Sequence, residues 1–290
     1  MNLMFDRVDT GEDVELVAEL LGCGLKDLAR STGIGEATLK RWTSGAVRPS
    51  PALAERFYGY AYDRGLRINQ IKAQFHEEMR GRAGRMALFH GSKGGLDGPV
   101  SLERCSPRSD FGRGFYCGTS LSQSASFVSM HETSSVYLLE FDSSGLSRLD
   151  FAVDEDWMLS IAWFRGRLAG YAGHPRVRAL AQRVGGADYI VAPIADNRMY
   201  ELVSDFIDGE ITDVVCRHGL SATDLGMQCI LLTQEAVDRV RVVEELYLCA
   251  PERAACLEAA HAQRRVGVDK TKAAKREFRG QGSYIDELLS

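Results

Sequence analysis

Two short stretches combine residue types that an ordinary protein core does not use together. The first is LFHGS at residues 88–92, an apolar run that ends in an imidazole, a glycine and a hydroxyl group. The second is DFGRGFY at residues 110–116, which places two glycines between aromatic side chains. A strand that ends in His-Gly-Ser leaves an imidazole and bare backbone at a sheet edge, where a ligand can approach closely. We therefore expect these two stretches to build a binding pocket.

Several familiar sites are absent from the sequence. It contains no Gly-x-x-x-x-Gly-Lys-Ser/Thr phosphate loop and no His-Glu-x-x-His metal motif, and the glycines around Arg113 are too few for Gly-x-Gly-x-x-Gly. The six histidines occur singly, and no two of the seven cysteines stand at Cys-x-x-Cys spacing. We therefore expect no bound metal and no disulfide framework, and the cysteines fit a reducing cytoplasm.

The pattern of apolar and polar residues along the chain predicts the secondary-structure elements that must position the two stretches. From Met86 onward, short β-type runs alternate with loops and helical segments without a regular β-α-β order, which predicts an α+β domain with a mainly antiparallel core. The predicted strands span 86–90, 115–119, 135–142, 189–194, 229–233 and 242–248, and the predicted helices span 122–130, 157–169, 176–184, 199–208 and 234–239.

The N-terminal part reads as four helices, over 13–21, 25–31, 36–42 and 52–64, with a tight turn at 32–35. The string LKDLARSTGIGEATLKRWTSGAVRPS (25–50) resembles DNA-binding domains of the Cro/repressor type, which use a helix-turn-helix. That resemblance implies that Ile34 and Leu39 pack inward. It also implies that the groove is faced by Glu36, Ala37, Thr38, Lys40 and Arg41.

The charge distribution divides the chain in the same way. Residues 24–85 hold 12 Lys and Arg against 6 Asp and Glu, a net charge of +6, whereas residues 86–250 hold 14 against 22, a net charge of −8. Positive charge attracts the phosphates that dominate DNA affinity, so we expect nucleic acid to bind through residues 24–48. Glu36 would repel phosphates, and a helical bundle that binds protein or dimerises stays an alternative.

With 290 residues, the chain is long enough for about two domains of ~150 residues. We predict a helix-turn-helix domain over 1–68, a basic linker helix over 69–85, an α+β domain over 86–250 and a helical tail over 251–290. The N-terminus lacks a signal pattern, and no apolar run approaches the ~18 residues of a membrane span. We expect a cytoplasmic protein without a membrane partner.

Four stretches together resemble the ADP-ribosyltransferase superfamily of the diphtheria-toxin and poly-ADP-ribose-polymerase branch, and most closely a bacterial family of toxin-like domains within it. They are LFHGS (88–92), DFGRGFY (110–116), DYIVAPIAD (188–196) and QCILLT (228–233). The resemblance covers roughly residues 86–245 and implies a split, mainly antiparallel sheet with helices. It also implies NAD as the substrate.

The superfamily has a His, a Tyr and a Glu on three strands, and His90 and Tyr116 match the first two. By this resemblance, His90 would bind a ribose hydroxyl of NAD, the backbone of Gly91 would pair with the nicotinamide amide, and Ser92 would support the ribose. Tyr116 would stack on the nicotinamide ring, next to Phe115 in the same pocket. Arg113 would face the diphosphate.

The third position departs from this pattern, because Gln228 stands where the superfamily has Glu. Glutamine can still hydrogen-bond a ribose hydroxyl, but it carries no charge and cannot act as a base. Either the acceptor needs no base, or another acid serves, or NAD is bound without transfer. Asp196 is the preferred second carboxylate, with a helix N-cap as its structural alternative, and Glu201 and Asp224 are further candidates.

These observations predict a mono-ADP-ribosyltransferase that modifies a macromolecular acceptor and carries an N-terminal DNA-binding domain. The resemblance places such a protein among toxins or defence effectors, with a neutralising antitoxin as a further partner. One alternative is a non-catalytic transcriptional regulator that senses NAD. Another is an RNA 2′-phosphotransferase of related fold, for which we expect several phosphate-binding arginines at matched positions that we cannot place in the sequence.

Overall fold

The computed structural model describes residues 8–82, 85–96, 98–132, 134–195, 197–221 and 226–290. The chain divides into two compact units that each combine distant segments. The first unit comprises Met1–Gly98, Ser120–Phe141 and Arg241–Glu258, and the second comprises Pro99–Thr119, Asp142–Val240 and Ala259–Ser290. The sequence-based domain boundaries therefore stay a prediction, since each unit draws on several of those segments.

Helices and mostly antiparallel strands make the protein α+β, as predicted. The helices of the described chain are α1 (Thr10–Leu20), α2 (Leu25–Thr32), α3 (Glu36–Thr43), α4 (Pro51–Asp63), α5 (Ile68–Arg82), α6 (Leu121–Val128), α7 (Glu155–Phe164), α8 (Pro175–Gly185), α9 (Asn197–Ile207), α10 (Asp213–Ser221), α11 (Gln234–Asp238), α12 (Ala250–Glu277) and α13 (Ile285–Leu288). Its strands are β1 (Met86–Ser92), β2 (Phe115–Gly118), β3 (Ser135–Phe141), β4 (Arg148–Asp150), β5 (Tyr189–Pro193), β6 (Met227–Leu231) and β7 (Val240–Leu246).

The N-terminal helices form as the sequence predicts. Helix α2 ends at Gly33, whose φ of 66° is left-handed, a conformation that glycine adopts without strain. Ile34 and Leu39 are buried, as predicted, and Trp42 joins them in a core that also contains Phe57 of α4. The helical character predicted for the N-terminal region is therefore confirmed, and its assignment as a helix-turn-helix stays a prediction.

This helical core is continuous with the end of β7 within the first unit. Tyr247 and Cys249 belong to the same apolar cluster as Trp42, and the Tyr247 hydroxyl donates to the Glu55 carboxylate over 3.0 Å. Lys72 of α5 forms ion pairs with the carboxylates of Asp13 on α1 and Glu244 on β7. Three elements thus meet at one buried cation.

The remainder of the first unit contains three strands in the order β1-β3-β7, and helices α5 and α6 pack on β1. Strands β1 and β3 are antiparallel, with His90 opposite Tyr137 and Gly91 opposite Val136. Because paired residues share a face, His90 and Tyr137 lie on one face and Gly91 and Val136 on the other.

The second unit contains the strand order β4-β5-β6-β2. Strand β6 pairs antiparallel with both neighbours, and the short β4 pairs parallel with β5. Helices α7 to α10 contribute large apolar side chains to the core against these strands, among them Trp157, Leu180 and Phe206. In the described part of the chain, no helix is long and apolar enough to cross a membrane.

All six predicted strands are present, whereas β4 and α10 were missed. Strand β4 has only three residues, two of them exposed, so it shows no alternating pattern. The helix predicted over 157–169 ends at Phe164, because Gly166 takes a φ of 80° and closes the turn.

A partly buried acid in the first unit predicts a pH-dependent stability. Burial raises the pKa of Glu252 from 4.5 to about 7, although Asn69 donates to its carboxylate over 2.7 Å. Between these pH values the folded state retains a proton that the unfolded chain releases, so stability is full below about pH 4.5 and declines as pH rises through 7. Glu252→Gln keeps an acceptor for Asn69 and removes this titration.

We expect the wild-type melting temperature to fall between pH 5 and pH 8, and the fall to shrink in Glu252→Gln. The difference should be about 2–4 °C for each kcal/mol of linkage. Glu258→Gln, an exposed change on the same helix, serves as the control and should keep the wild-type pH profile in a thermal melt monitored by circular dichroism. An unchanged profile in Glu252→Gln would contradict the assignment.

Candidate functional site

A buried carboxylate, Asp110, lies at the centre of the polar residues in the second unit. Its side chain is 8% exposed, and its Oδ1 accepts hydrogen bonds from Nε and Nη2 of Arg165 over 3.0 and 2.5 Å. Its Oδ2 accepts from Nε2 of Gln228 over 3.3 Å. A buried carboxylate is costly unless it is paired and hydrogen-bonded, so these donors explain how Asp110 is tolerated there.

The second donor to Asp110, Gln228, is held in one orientation by its surroundings. Nε2 donates to Asp110 and also to the backbone carbonyl of Pro193 over 3.2 Å. Both partners are acceptors only, so the nitrogen must be the atom that faces them. The end of the side chain that Gln228 can offer to a ligand is therefore its oxygen, an acceptor.

Tyr116 lies on the same face of the strands as Gln228. It pairs with Ile230 across β2 and β6, and Gln228 is two residues from Ile230 on the same strand. The Tyr116 hydroxyl donates to the carbonyl of Gly112 over 3.0 Å and accepts from the backbone N–H of Phe111 over 2.9 Å. Burial, as the largest effect, raises the pKa of this hydroxyl, so it stays protonated at neutral pH.

The turn 110–112 is thus held from two sides. Gln228 and Arg165 bind its first side chain, and the Tyr116 hydroxyl binds its backbone. Gly112 adopts a φ of 77° there, and a Cβ on Gly114 would lie 2.7 Å from the Ile230 side chain, so glycine is required at both positions. The motif DFGRGFY owes its glycines to this turn.

Arg113 and Phe115 have structural contacts in this unit. The Arg113 side chain is exposed, and its Nη1 donates to the carbonyls of Leu102, Glu103 and Cys105 over 2.9–3.2 Å. It therefore organises the preceding loop, and its expected contact with a diphosphate stays a prediction. Phe115 is buried on β2, with its side chain opposite in direction to that of Tyr116.

Two site residues escaped the sequence analysis. Arg165, at the end of α7, stands 55 positions from Asp110, and no local pattern connects them. The guanidinium of Arg165 also lies over the ring of Tyr200 on α9, at 4.3 Å from its centroid. Asp110 itself was predicted only as part of the stretch DFGRGFY (110–116), although an acid beside a predicted buried strand was a signal that a partner was needed.

The residues His90, Gly91 and Ser92 lie in the first unit, at the end of β1. Helix α6 packs directly on Gly91, where a Cβ would lie 2.6 Å from the carbonyl oxygen of Ser124 and 2.9 Å from Val128. The Ser92 hydroxyl donates to the carbonyl of Gly95 over 2.9 Å, so it shapes the following loop. His90 is half-buried on the opposite face from α6.

A second polar group lies on the His90 face of this unit. Tyr137, opposite His90, accepts a hydrogen bond at its hydroxyl from the backbone N–H of Leu96 over 2.9 Å. Burial first, and then the charge of Glu245, raise the pKa of Tyr137 to about 12. The buried Glu245 in turn accepts from the Ser135 hydroxyl. The contact of Tyr137 with Leu96 fixes the loop that follows the His-Gly-Ser motif.

Of the acids considered as a second carboxylate, Asp196 and Asp224 lie outside the described residues. Glu201 is exposed on α9. Within the described ranges, no group of three or more His, Cys, Asp or Glu side chains could hold a metal ion. Among the described acids, Asp110 is the carboxylate in contact with Gln228.

The predicted DNA-binding residues lie on α3. Lys40 and Arg41 are exposed and Thr38 is half-buried. Lys40 forms an ion pair with Glu36 over 2.8 Å, and this contact lowers the pKa of Glu36. The pair neutralises the Glu36 carboxylate, which would otherwise repel phosphates. It also neutralises the positive charge that Lys40 would otherwise offer to a phosphate.

The chain belongs to a family described as "Protein of unknown function (DUF3990)", whose model matches residues 86–242. This match contains all four stretches that carry the resemblance described above. No curated protein matches the chain. No solved structure matches it either.

The close contact at Gly91 yields a prediction about the end of β1 and its packing against α6. Gly91→Ala should reduce the free energy of unfolding by about 1–3 kcal/mol, because α6 must shift to admit a methyl group against backbone. Gly94→Ala is the matched control, since a Cβ at Gly94 meets nothing within 4 Å. Urea denaturation of the full chain measures both. Equal midpoints for the two variants would show that α6 does not restrict this position.

Proposed function

We propose that the protein is an NAD-dependent mono-ADP-ribosyltransferase that modifies a macromolecular acceptor. The observation that carries this proposal is the joint action of Tyr116 and Gln228 on one buried turn. Both residues come from the stretches that resemble the superfamily, both lie on one face of β2 and β6, and both contact the turn 110–112. The finer superfamily fold, with a split sheet, belongs to the same proposal.

The residue chemistry fits NAD as a substrate. The Tyr116 hydroxyl is committed to the turn, so its ring is the part that can stack on nicotinamide. The Gln228 oxygen can accept a hydrogen bond from a ribose hydroxyl. By the superfamily resemblance, His90 is the proposed partner of a second ribose hydroxyl.

In the proposed reaction, the bond between C1′ and the nicotinamide nitrogen breaks, and nicotinamide leaves with the electron pair. A lone pair of the acceptor forms the new bond to C1′, and the acceptor loses a proton. Gln228 is neutral, so stabilisation of the cationic ribose relies on oriented dipoles and on positioning. Asp196 stays the proposed second carboxylate.

The second candidate is a regulator that binds NAD without transferring ADP-ribose. The neutral Gln228 favours it, because a site without a charged third residue can hold a sugar and yet fail to stabilise a cation. We propose that α2 and α3 form a helix-turn-helix that binds DNA, an assignment that is compatible with either candidate. A toxin or defence effector with a neutralising antitoxin is the setting that we propose for the enzyme.

Label transfer tests the enzymatic proposal. The full chain is incubated with labelled NAD and a cell extract. We expect transfer to fall about 100-fold or more in His90→Ala and in Tyr116→Ala, because both remove groups that position the substrate. Tyr116→Phe should retain most of the transfer, because the ring that stacks on nicotinamide stays. This variant loses only the hydroxyl that binds the backbone of the turn 110–112.

His261→Ala, an exposed change on α12, is the control for His90→Ala and should transfer label like the wild type. Saturable NAD binding without transfer by the wild type would reject the enzyme and support the sensor. Equal losses in Tyr116→Phe and Tyr116→Ala would assign Tyr116 to the turn alone.

DNA binding is tested with the full chain on a mixed-sequence duplex over a range of salt concentrations. Arg41→Ala should weaken binding several-fold and reduce the slope of log affinity against log salt by about 0.9, the value for one phosphate contact. Lys40→Ala should have a smaller effect, because Lys40 is paired with Glu36. Binding that is insensitive to salt and to both changes would contradict the role of α3.

A further inference from the structure

Hydrogen-bond accounting around Asp110 leaves little freedom to the Gln228 amide. Asp110 receives two N–H groups from Arg165 on Oδ1 and one from Gln228 on Oδ2. Gln228 uses the two hydrogens of Nε2 on Asp110 and Pro193. Every contact joins a donor to an acceptor, so turning the amide around would bring its oxygen against two other oxygens.

We propose that Asp110 is a positioning residue of the site: held by Arg165, it orients the Gln228 amide so that its oxygen is presented as an acceptor. Asp110 and Gln228 then act as one unit in which each residue type requires the other. This inference rests on the proposed function for the identity of the ligand, which is a ribose hydroxyl of NAD that donates a hydrogen bond to the Gln228 oxygen.

A change at Asp110 alone should reverse the amide. In Asp110→Asn the new side chain has one oxygen and one NH2 group, and the guanidinium of Arg165 takes the oxygen. The NH2 group then faces Gln228, whose oxygen turns inward to accept from it, at the cost of the Nε2 hydrogen bond to the Pro193 carbonyl. Gln228 would present a donor where the wild type presents an acceptor.

A change at Gln228 alone should place like charges in contact. In Gln228→Glu an oxygen replaces Nε2 at 3.3 Å from the Asp110 carboxylate and at 3.2 Å from the Pro193 carbonyl. Two buried carboxylates at this distance cannot both ionise without a large penalty. The variant that looks closest to an ordinary acidic site is therefore expected to be defective.

Exchanging both residue types should restore the arrangement. In the double variant Asp110→Asn/Gln228→Glu, the asparagine oxygen faces Arg165 and its NH2 group donates to the glutamate. The glutamate again presents an acceptor oxygen, and the pair again carries one negative charge. Restoration is partial, because the Pro193 carbonyl has no donor in this variant.

Two readouts follow the wild type, both single variants and the double variant in the full chain. The first is independent of NAD: the thermal stability of each protein, with the side-chain 1H–15N signals of Gln228 in the wild type and in Asp110→Asn, which both retain this glutamine. The second is label transfer from NAD. We expect each single change to lower the melting temperature and to reduce transfer at least about 30-fold, and the double variant to recover both, with transfer within about tenfold of wild type.

Glu140→Gln is the matched control, because Glu140 is also a buried carboxylate, with a 5% exposed side chain held by Arg85 and Arg241. It should cost stability and leave the Gln228 signals unchanged. Additive losses of stability and transfer in the double variant, or Gln228 signals that do not respond to Asp110→Asn, would overturn the proposal.

The two proposals fail in different ways. A wild type that neither binds NAD nor transfers label rejects the proposed function, while the stability coupling and the amide signals still decide whether Asp110 orients Gln228. Transfer by the wild type that survives both single changes rejects the positioning role and leaves the enzyme in place.

Discussion

A carboxylate removed from water must find donors for both oxygens, and in the second unit that requirement is met by groups from separate elements. Asp110 comes from a turn, Arg165 from the end of α7, and Gln228 from β6. Arg165 is itself held over Tyr200 of α9. Removing one partner of such a group leaves a buried charge uncompensated, at a cost of about 3–5 kcal/mol. Turn, strand and two helices are thus mutually dependent.

The first unit meets the same constraint with different residues. Glu140 of β3 is neutralised by Arg85 and Arg241, and Lys72 of α5 lies between the carboxylates of Asp13 and Glu244. Buried ion pairs stabilise little in net terms, but they disfavour other arrangements in which a charge would lose its partner. The Lys72 pairs therefore specify how α1 and α5 pack against β7, the strand to which Glu244 belongs.

Periodicity and turn chemistry were sufficient to predict the helices of the N-terminal region and six strands, because amphipathic spacing and glycines act locally. They were insufficient for β4, which is too short to alternate, and for the pair Asp110–Arg165, since contacts 55 residues apart leave no local signature. Tyr116 and Gln228 could be selected from their motifs. That both residues contact the turn 110–112 could not be predicted, because this contact depends on which strands become neighbours.

The neutral residue at position 228 takes a different meaning once its neighbours are known. Considered alone, glutamine removes a charge that an acidic residue would bring. In the structure, the nitrogen of its amide donates to the buried carboxylate of Asp110, and the oxygen of the same amide is left as the acceptor. An amide held this way is polarised by the charge behind it, since hydrogen bonds in a low-dielectric interior strengthen one another. Acceptor strength at position 228 then depends on Asp110 and Arg165 together, so the electrostatics of the site belong to the network rather than to any one side chain.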